Sequence, residues 1–140
     1  MPRSFGKILD ESLRHIRRDV PDAYARLSAL LGAAPVAFEV DEDTGVLEFV
    51  GGGHRFASTG DGFRVRVETD TQTLVELVDA DLSIIEALRR GRLHLRGRAQ
   101  EIARFDDALH AFMAGAIRSR GTSRLLEELR WNMSGAEDRV

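Results

Sequence analysis

The chain lacks cysteine altogether, has little proline and few aromatic residues, and shows no strong excess of either charge. Without cysteine it can form no disulfide, thiolate metal site or cysteine nucleophile, and we expect a reducing compartment, the cytoplasm. The net charge of −3 gives no electrostatic reason to expect a nucleic acid partner. No apolar run approaches the roughly 20 residues that cross a membrane, and no signal peptide is visible. We therefore expect no stable membrane insertion.

The length and composition are those of an ordinary globular domain. The 140 residues are 43% hydrophobic and 31% charged, which is enough to bury a core. We predict a single domain over residues 1–140, with an N-terminal helical region over residues 1–35 and a C-terminal helix and tail over residues 122–140.

Apolar residues at helical spacing predict helices in the first third of the chain. Pro21, with Asp22 behind it, suits the first turn of a helix. Two interpretations stay open, namely two successive helices or one kinked helix.

The apolar pattern changes to a period of two after Pro35, as is typical of strands with one buried face. Turn-like glycine and aspartate residues separate the segments. We predict four strands in an antiparallel meander, with charged residues on one face, so that helices cover only the other. The apolar face carries Phe38, Leu47, Phe49, Phe56, Val65, Leu93 and Leu95, the last two from a fifth strand.

Two capping boxes predict the starts of two short helices. Thr73 with Glu76, and Ser83 with Glu86, have the pattern in which two residues bind the amides at a helix start. Gly91 suits the left-handed position that ends the second of these helices.

A fifth strand and a long helix follow. The strand is predicted over Arg92–Arg96, with its two leucines buried and its arginines and histidine exposed. Apolar residues then recur at helical spacing, Gly121 is predicted to end this helix, and Thr122 or Ser123 is predicted to cap a last one. The apolar stripe of the long helix consists of Ile102, Phe105, Leu109, Phe112 and Met113.

Patterns for catalysis or metal binding are weak. Asp106, Asp107 and His110 share one helical turn and could offer two metal ligands. A closed metal site needs more ligands. We therefore favour the alternative, in which Asp107 and His110 are a solvated pair on the helix surface. Residues 51–54 lack the features of a phosphate loop and indicate a hairpin connection. Residues 41–45 lack the glutamate of a calcium loop and indicate an acidic turn. We predict no catalytic residue, no metal and no cofactor.

From about Val36 to Met113 the order of elements resembles the sterol-carrier-protein (non-specific lipid transfer) family. In Asp81–Gly97 a short helix leads into a Gly-Arg-Leu strand and a second glycine, and Phe63–Asp70 resembles the family's fourth strand. Known members have a curved five-stranded sheet covered by helices, with an apolar tunnel for acyl chains, sterols or other lipids between them. Here Leu88-Arg89-Arg90 replaces the Phe-Met-Ser triplet that many members carry before the last strand.

The resemblance implies an α+β fold with a five-stranded, mainly antiparallel sheet covered on one face by helices. It also implies that a lipid or another apolar small molecule binds, or is transferred, in a tunnel between sheet and helices. The implied ligand-binding residues are Phe49, Phe56, Leu95, Ile102, Phe105, Leu109, Phe112 and Met113.

Two other functions stay open. One is a small cavity enzyme acting on a hydrophobic substrate. Such an enzyme needs a titratable residue in its cavity, and the predicted strand and helix faces place none of the histidines there. The other is an accessory or interaction module of a larger pathway without a lipid cargo, which binds a protein partner or a second copy through its terminal helices.

Overall fold

The computed structural model describes residues 4–32, 35–57 and 62–138, with residues 131–138 described by backbone alone. Over these residues the chain alternates helical and extended segments. The elements are α1 (Phe5–Asp19), α2 (Pro21–Leu31), β1 (Val36–Val40), β2 (Asp43–Val50), β3 (Gly53–Ala57), β4 (Val65–Thr69), α3 (Thr71–Val78), α4 (Ile84–Arg89), β5 (His94–Arg96), α5 (Ala99–Arg118) and α6 (Arg120–Asp138).

The strands form one five-stranded sheet in the order β3-β2-β1-β4-β5. Three of the strand pairs are antiparallel, while β1 and β4 are parallel. The predicted α+β fold with a mainly antiparallel sheet is therefore confirmed, but the meander is wrong, because β4 pairs with β1 and not with β3. The alternation of apolar and polar residues specifies which face of a strand is buried; it does not specify the neighbouring strand. Strands β1 and β4 carry four fully buried valines, Val36, Val40, Val65 and Val67, and lie in the interior of the sheet.

The strand register separates an apolar face from a charged one. Val36 lies beside Leu47 and Val65, and Phe38 lies beside Val67, so these side chains share one face. On the other face Arg66 pairs with Glu39 of the neighbouring strand at an N–O distance of 3.3 Å, and with Glu68 of its own strand at 2.8 Å. Helices α1, α2 and α5 pack on the apolar face.

The N-terminal region forms two helices rather than one kinked helix. Ser4 caps α1 by accepting a hydrogen bond from the amide of Lys7 at 3.3 Å. Val20 then leaves helical geometry, and Pro21 begins α2, where its missing amide hydrogen costs nothing. Helix α1 packs along α6, and α2 packs along α5.

Of the two predicted capping boxes, the one at Ser83 is present only in its serine half, because the Glu86 carboxylate pairs with Arg89 and Arg90. The Ser83 hydroxyl accepts a hydrogen bond from the amide three residues on, at 3.1 Å. The box at Thr73 is wrong, because Asp70 stands three residues earlier, is an equally good cap, and accepts from the Thr73 amide at 2.7 Å. Thr73 is instead buried inside α3, where its hydroxyl accepts from Arg92, which also pairs with Glu76. These contacts leave Arg92 half-buried and not exposed as predicted.

The fifth strand is shorter than predicted and begins at His94. The amides of Arg92 and Leu93 donate to the carbonyl oxygen of Ala87, at 2.9 and 3.3 Å, and thereby close the end of α4. They are consequently unavailable for the sheet. Leu93 is buried as predicted, at 2% exposure, whereas Leu95 is only half-buried near the edge of the sheet.

The break between the last two helices differs from the prediction. Helix α5 ends before Ser119, whose hydroxyl accepts a hydrogen bond from the Thr122 amide at 3.3 Å. Ser119 therefore takes the capping role that was predicted for Thr122 or Ser123. Gly121 lies within α6, where a side chain would collide with the ring of His15, so it serves close helix packing rather than helix termination.

Gly97, at the junction of β5 and α5, generates a test of the fold. Its φ is +153°, and an added Cβ would lie 2.7 Å from the backbone oxygen of Arg64. Because both strain and collision oppose a side chain there, Gly97→Ala should lower the free energy of unfolding by about 3 kcal/mol in urea denaturation.

Gly91→Ala is the matched control. Gly91 also has a positive φ, +69°, but no atom lies within 4 Å of its added Cβ. Only the left-handed backbone conformation then disfavours alanine, and the free energy of unfolding should fall by about 1 kcal/mol. Equal losses in the two variants would contradict the close approach at Gly97.

Candidate functional site

A cavity of about 320 Å³ lies between the apolar face of the sheet and the helices. This volume is at the lower end of the range of about 300–1,000 Å³ that ligand pockets occupy. Its walls come from all the helices except α4, together with β1 and β2. The apolar lining residues are Phe5, Ile8, Leu9, Leu13, Leu27, Leu31, Phe38, Leu47, Phe49, Leu74, Val75, Val78, Phe105, Ala108, Leu109, Phe112, Leu126 and Leu129.

Aromatic side chains form the wall of the cavity near the start of α1. The ring centroid of Phe38 lies 5.5 Å from that of Phe5 and 6.4 Å from those of Phe56 and Phe105. These tilted contacts are within the range in which aromatic pairs attract each other. They hold α1, α5 and the sheet together at this end while leaving the space beside them open.

Helix α6 covers the cavity, with Leu126 and Leu129 facing it. At its N-terminal end the buried hydroxyl of Thr122 donates to the carbonyl oxygen of Ser12 in α1, at 3.2 Å. Further along, Arg130 makes a two-pronged ion pair with Asp79 at the end of α3. Helix α6 is thus attached at both ends of the stretch that covers the cavity.

Among the described lining residues, the polar side chains are few and carry no positive charge. Asp41, Asp43 and Thr71 lie together at the end of the sheet, and Ser12 lies in the wall formed by α1. Asp41 and Asp43 are exposed, so the cavity meets solvent beside them; we call this place the mouth. Asp41 accepts from the Thr71 hydroxyl at 2.6 Å, and Asp43 accepts from the amide of Phe5 at 3.0 Å. No lysine, arginine or histidine lies among the described lining residues.

The sequence pattern of the mouth was interpreted only as an acidic turn. A turn is present between β1 and β2, but it is shorter than predicted: Asp41 and Glu42 form it, and residues 43–45 belong to β2. Its contribution to a cavity was missed. A signal was available, because the turn joins the two strands that carry Phe38 and Leu47. Its residues must therefore lie at the end of the apolar face.

Half of the predicted ligand-binding residues line the cavity. They are Phe49, Phe105, Leu109 and Phe112. The other four, all half-buried outside the lining, are Phe56, Leu95, Ile102 and Met113. Met113 follows Phe112 directly and is turned about 100° away around the axis of α5. Ligand contact stays a prediction for all eight residues.

A buried polar network lies beside the cavity, on the same face of the sheet. The side chain of His54, from β3, is 4% exposed. Its Nδ1 lies 2.7 Å from the Tyr24 hydroxyl in α2, and its Nε2 lies 2.8 Å from a carboxylate oxygen of Asp10 in α1. The hairpin connection predicted at residues 51–54 is present but shorter, because Gly51 and Gly52 form its turn and Gly53 and His54 belong to β3. No sequence pattern indicated that His54 would contact residues so distant along the chain.

The network changes the protonation equilibria of two members. Partial burial opposes ionisation of Asp10, but hydrogen bonds from Arg14 and His54 outweigh it, and the pKa of Asp10 falls below its usual value. Burial raises the pKa of Tyr24, because the phenolate would lose solvation. At neutral pH the network therefore contains an ionised carboxylate and a neutral phenol.

Within the described residues, no cluster of three acidic or histidine side chains is placed to hold a metal. His110 contacts the carbonyl oxygen of Asp106 at 2.8 Å and its carboxylate at 3.4 Å, so the favoured pairing with Asp107 is wrong. None of the described helices is both long and apolar enough to span a bilayer.

The lowered pKa of Asp10 predicts how stability varies with pH. A carboxylate whose pKa is lower in the folded protein stabilises the fold above its unfolded pKa, and this contribution disappears as the pH falls through the folded pKa. Asp10→Asn should therefore lower the free energy of unfolding at pH 7 by roughly 1 kcal/mol. Below about pH 4 the difference from the wild type should shrink, as measured by urea denaturation at pH 7 and pH 3.

Asp107→Asn is the control, since Asp107 is exposed on α5 and far from this network in sequence. It should leave the stability at pH 7 within about 0.5 kcal/mol of the wild type. An Asp10→Asn variant as stable as this control at pH 7 would show that the network contributes nothing to the fold.

Comparisons with known proteins identify the fold. No protein-family model matches the sequence, and no curated protein matches it. Among solved structures, a ubiquinone synthesis protein, UbiJ-SCP2, matches with a TM-score of 0.58 at 18% identity over 78% of this chain and 99% of the other. A sterol carrier protein domain 2 of Helicoverpa armigera gives 0.57 at 15% identity, over 79% and 86%. Sterol Carrier Protein 2 from Yarrowia lipolytica, in its apo form, gives 0.52 at 10% identity, over 77% and 88%.

At these identities the likeness is one of fold. The chain resembles the sterol-carrier-protein family in its architecture, as the order of elements from Val36 to Met113 predicted.

Proposed function

We propose that this chain binds a lipid or another apolar small molecule in the cavity between sheet and helices. The observation that carries the proposal is the cavity itself, with apolar walls and one polar mouth at Asp41 and Asp43. The likeness to sterol carrier proteins supports it. A cytoplasmic location and a single domain over residues 1–140 remain predictions beside it.

Binding in such a site would depend on apolar burial. Each methylene of a ligand that leaves water contributes about 0.8 kcal/mol. Affinity should therefore rise with chain length until the cavity is full and then stop rising. The mouth would hold the polar end of the ligand. The rest of the lining is apolar, apart from Ser12 in α1 and Thr71, whose hydroxyl already donates to Asp41.

Leu109→Trp tests whether the cavity is the binding site. Leu109 lines the cavity from α5 and is half-buried. An indole placed there would fill empty space in the cavity and would not displace packed side chains. The free energy of unfolding should therefore change little. The affinity for an uncharged apolar fluorophore such as Nile red should fall at least about tenfold, a loss of about 1.4 kcal/mol, in a fluorescence titration paired with urea denaturation.

Ile102→Trp is the matched control. Ile102 lies on the same helix and is also half-buried, but it lies outside the lining. The fluorophore should bind this variant as tightly as it binds the wild type. Equal weakening in both variants would contradict binding in the cavity. A wild type that binds no apolar probe, and that carries no extra mass in native mass spectrometry as purified, would contradict the proposed function.

An accessory role without a lipid cargo is the second candidate. One structural neighbour is named as a ubiquinone synthesis protein. Apolar side chains are also exposed away from the cavity, with Ile85 at 67% and Ile117 at 78% exposure. For this function we expect no ligand binding, and we expect Leu109→Trp to destabilise the fold by overpacking. An enzyme would instead depend on the titratable residues at the mouth, Asp41 and Asp43.

A further inference from the structure

We propose that helix α6 is a lid that opens at its Arg130 end to admit and release the ligand, and that the ion pair of Arg130 with Asp79 is its latch. This inference rests on the proposed function and concerns access to the same cavity. It depends on three features, namely the unequal attachment of the two ends of α6, the leucines between these ends, and the position of Asp79 on α3.

The N-terminal end of α6 is fixed by buried polar groups. Ser119 and Thr122 are both 0% exposed. The Ser119 hydroxyl donates to a carboxylate oxygen of Asp19 at 2.9 Å. The Thr122 amide donates to that same Ser119 hydroxyl at 3.3 Å, and the Thr122 hydroxyl donates to the carbonyl oxygen of Ser12 in α1 at 3.2 Å. Separating these groups would leave buried donors and acceptors without partners, so this end is the pivot of the lid.

The Arg130 end of α6 is held at the surface. Arg130 pairs with both carboxylate oxygens of Asp79, and the two side chains are 41% and 27% exposed. Ion pairs that remain in contact with water contribute little to stability and weaken as salt is added. Arg130 lies about 12 Å beyond Thr122 along the helix, at a rise of 1.5 Å per residue. A modest tilt about the pivot therefore separates the pair.

The stretch between the two ends faces the cavity. Leu126 and Leu129 line the cavity from α6 and are half-buried. Dispersion attraction needs atoms in contact on both sides, and beneath these two leucines lies the cavity and not a packed core. Moving them outward consequently breaks few close contacts. A ligand in the cavity would supply such contacts and favour the closed lid.

Asp79 occupies a position that its own helix does not favour. It caps the C-terminal end of α3, where the last carbonyl groups carry partial negative charge and repel a carboxylate. The turn that follows is firmly held, since the amides of Asp81 and Leu82 donate to the carbonyl oxygen of Glu76 at 2.9 and 3.2 Å. Pairing with Arg130 accounts for a carboxylate at this fixed point.

The side covered by α6 suits the passage of an apolar chain better than the mouth does. At the mouth the Thr71 hydroxyl donates to Asp41 at 2.6 Å, which joins α3 to the sheet. The Phe5 amide donates to Asp43 at 3.0 Å, which joins α1 to the sheet. An apolar chain leaving there would pass two exposed carboxylates, whose hydration opposes apolar contact. Beneath α6 it would pass the two leucines.

Asp79→Asn tests the latch, because it removes the charge and keeps the size of the side chain. The variant should release Nile red about threefold faster than the wild type, as expected for the loss of an exposed ion pair. The release rate is measured by stopped-flow fluorescence with an excess of uncharged lipid vesicles as the acceptor. Raising salt from about 0.05 to 0.5 M should speed release from the wild type and affect the variant less, since screening weakens only an intact pair.

Asp22→Asn is the matched control. Asp22 forms an equally exposed ion pair with Arg118 at 3.2 Å, which joins α2 to α5, and neither residue lines the cavity. This variant should release Nile red at the rate of the wild type.

Thiol labelling tests the motion without any ligand. The chain has no cysteine, so Leu129→Cys introduces a single thiol under the lid. Its rate of reaction with a bulky maleimide should rise about threefold when Asp79→Asn is added, because the labelled site opens more often. Adding Asp22→Asn should leave the labelling rate unchanged.

A cross-link tests whether the ligand must pass beneath α6. In the double variant Asp79→Cys/Arg130→Cys the two thiols replace the latch, and a short bismaleimide joins them covalently. The bridged protein should take up and release Nile red at least about tenfold more slowly than the same variant left unbridged, since a lid that cannot open limits both rates.

The outcomes separate the inference from the function on which it rests. Equal rates in the bridged and unbridged proteins would show that the ligand passes through the mouth, and would overturn the inference while the proposed function stands. Release and labelling rates that respond neither to Asp79→Asn nor, in the wild type, to salt would overturn the latch. If the wild type does not bind Nile red, both the proposed function and the inference are wrong.

Discussion

The alternation of side chains along β1 decides how the rest of the chain is arranged. Val36, Phe38 and Val40 point to one face, where β2 and β4 add their own apolar residues in register. On the opposite face Glu39 pairs with Arg66. Burying that pair would require both charges to leave water, so helices can pack on one side only. Helices α1, α2 and α5 must share this single face, and the cavity is the space that they leave above it.

Polar contacts hold the walls of this space apart. Helix α1 is attached to the sheet at one end by the hydrogen bond from the Phe5 amide to Asp43, and further along by the contact of Asp10 with His54. Helix α6 is attached to α1 through Thr122 and to α3 through Arg130. Directional contacts of this kind fix where a helix lies, whereas apolar packing alone would favour the most compact arrangement. The cavity can therefore persist beside a close-packed core.

Local patterns in the sequence predicted the elements and their faces, but not the contacts between distant residues. The alternation around Leu47 and Phe49 placed the apolar face correctly, and the cap at Ser83 followed from four neighbouring residues. The partner of β4 could not be predicted, because strand pairing depends on the whole sheet. His54 bonds to a residue 44 positions away. The acidic turn at Asp41 was recognised as a turn, but its place at the mouth depends on where α1 and α3 pack.

An apolar space of about 320 Å³ is expensive to leave empty. Empty apolar cavities sealed inside proteins lower stability by about 24 cal/mol per Å³, and the inner, apolar part of this space is unfavourable for the same reason. Water can enter at the mouth, but it is held only where polar groups bind it, and between Phe38, Phe105 and Phe112 the lining offers none. An apolar occupant would remove this cost, and under the proposed function occupancy and folding stability would be coupled, since a ligand that binds the folded chain alone raises its free energy of unfolding.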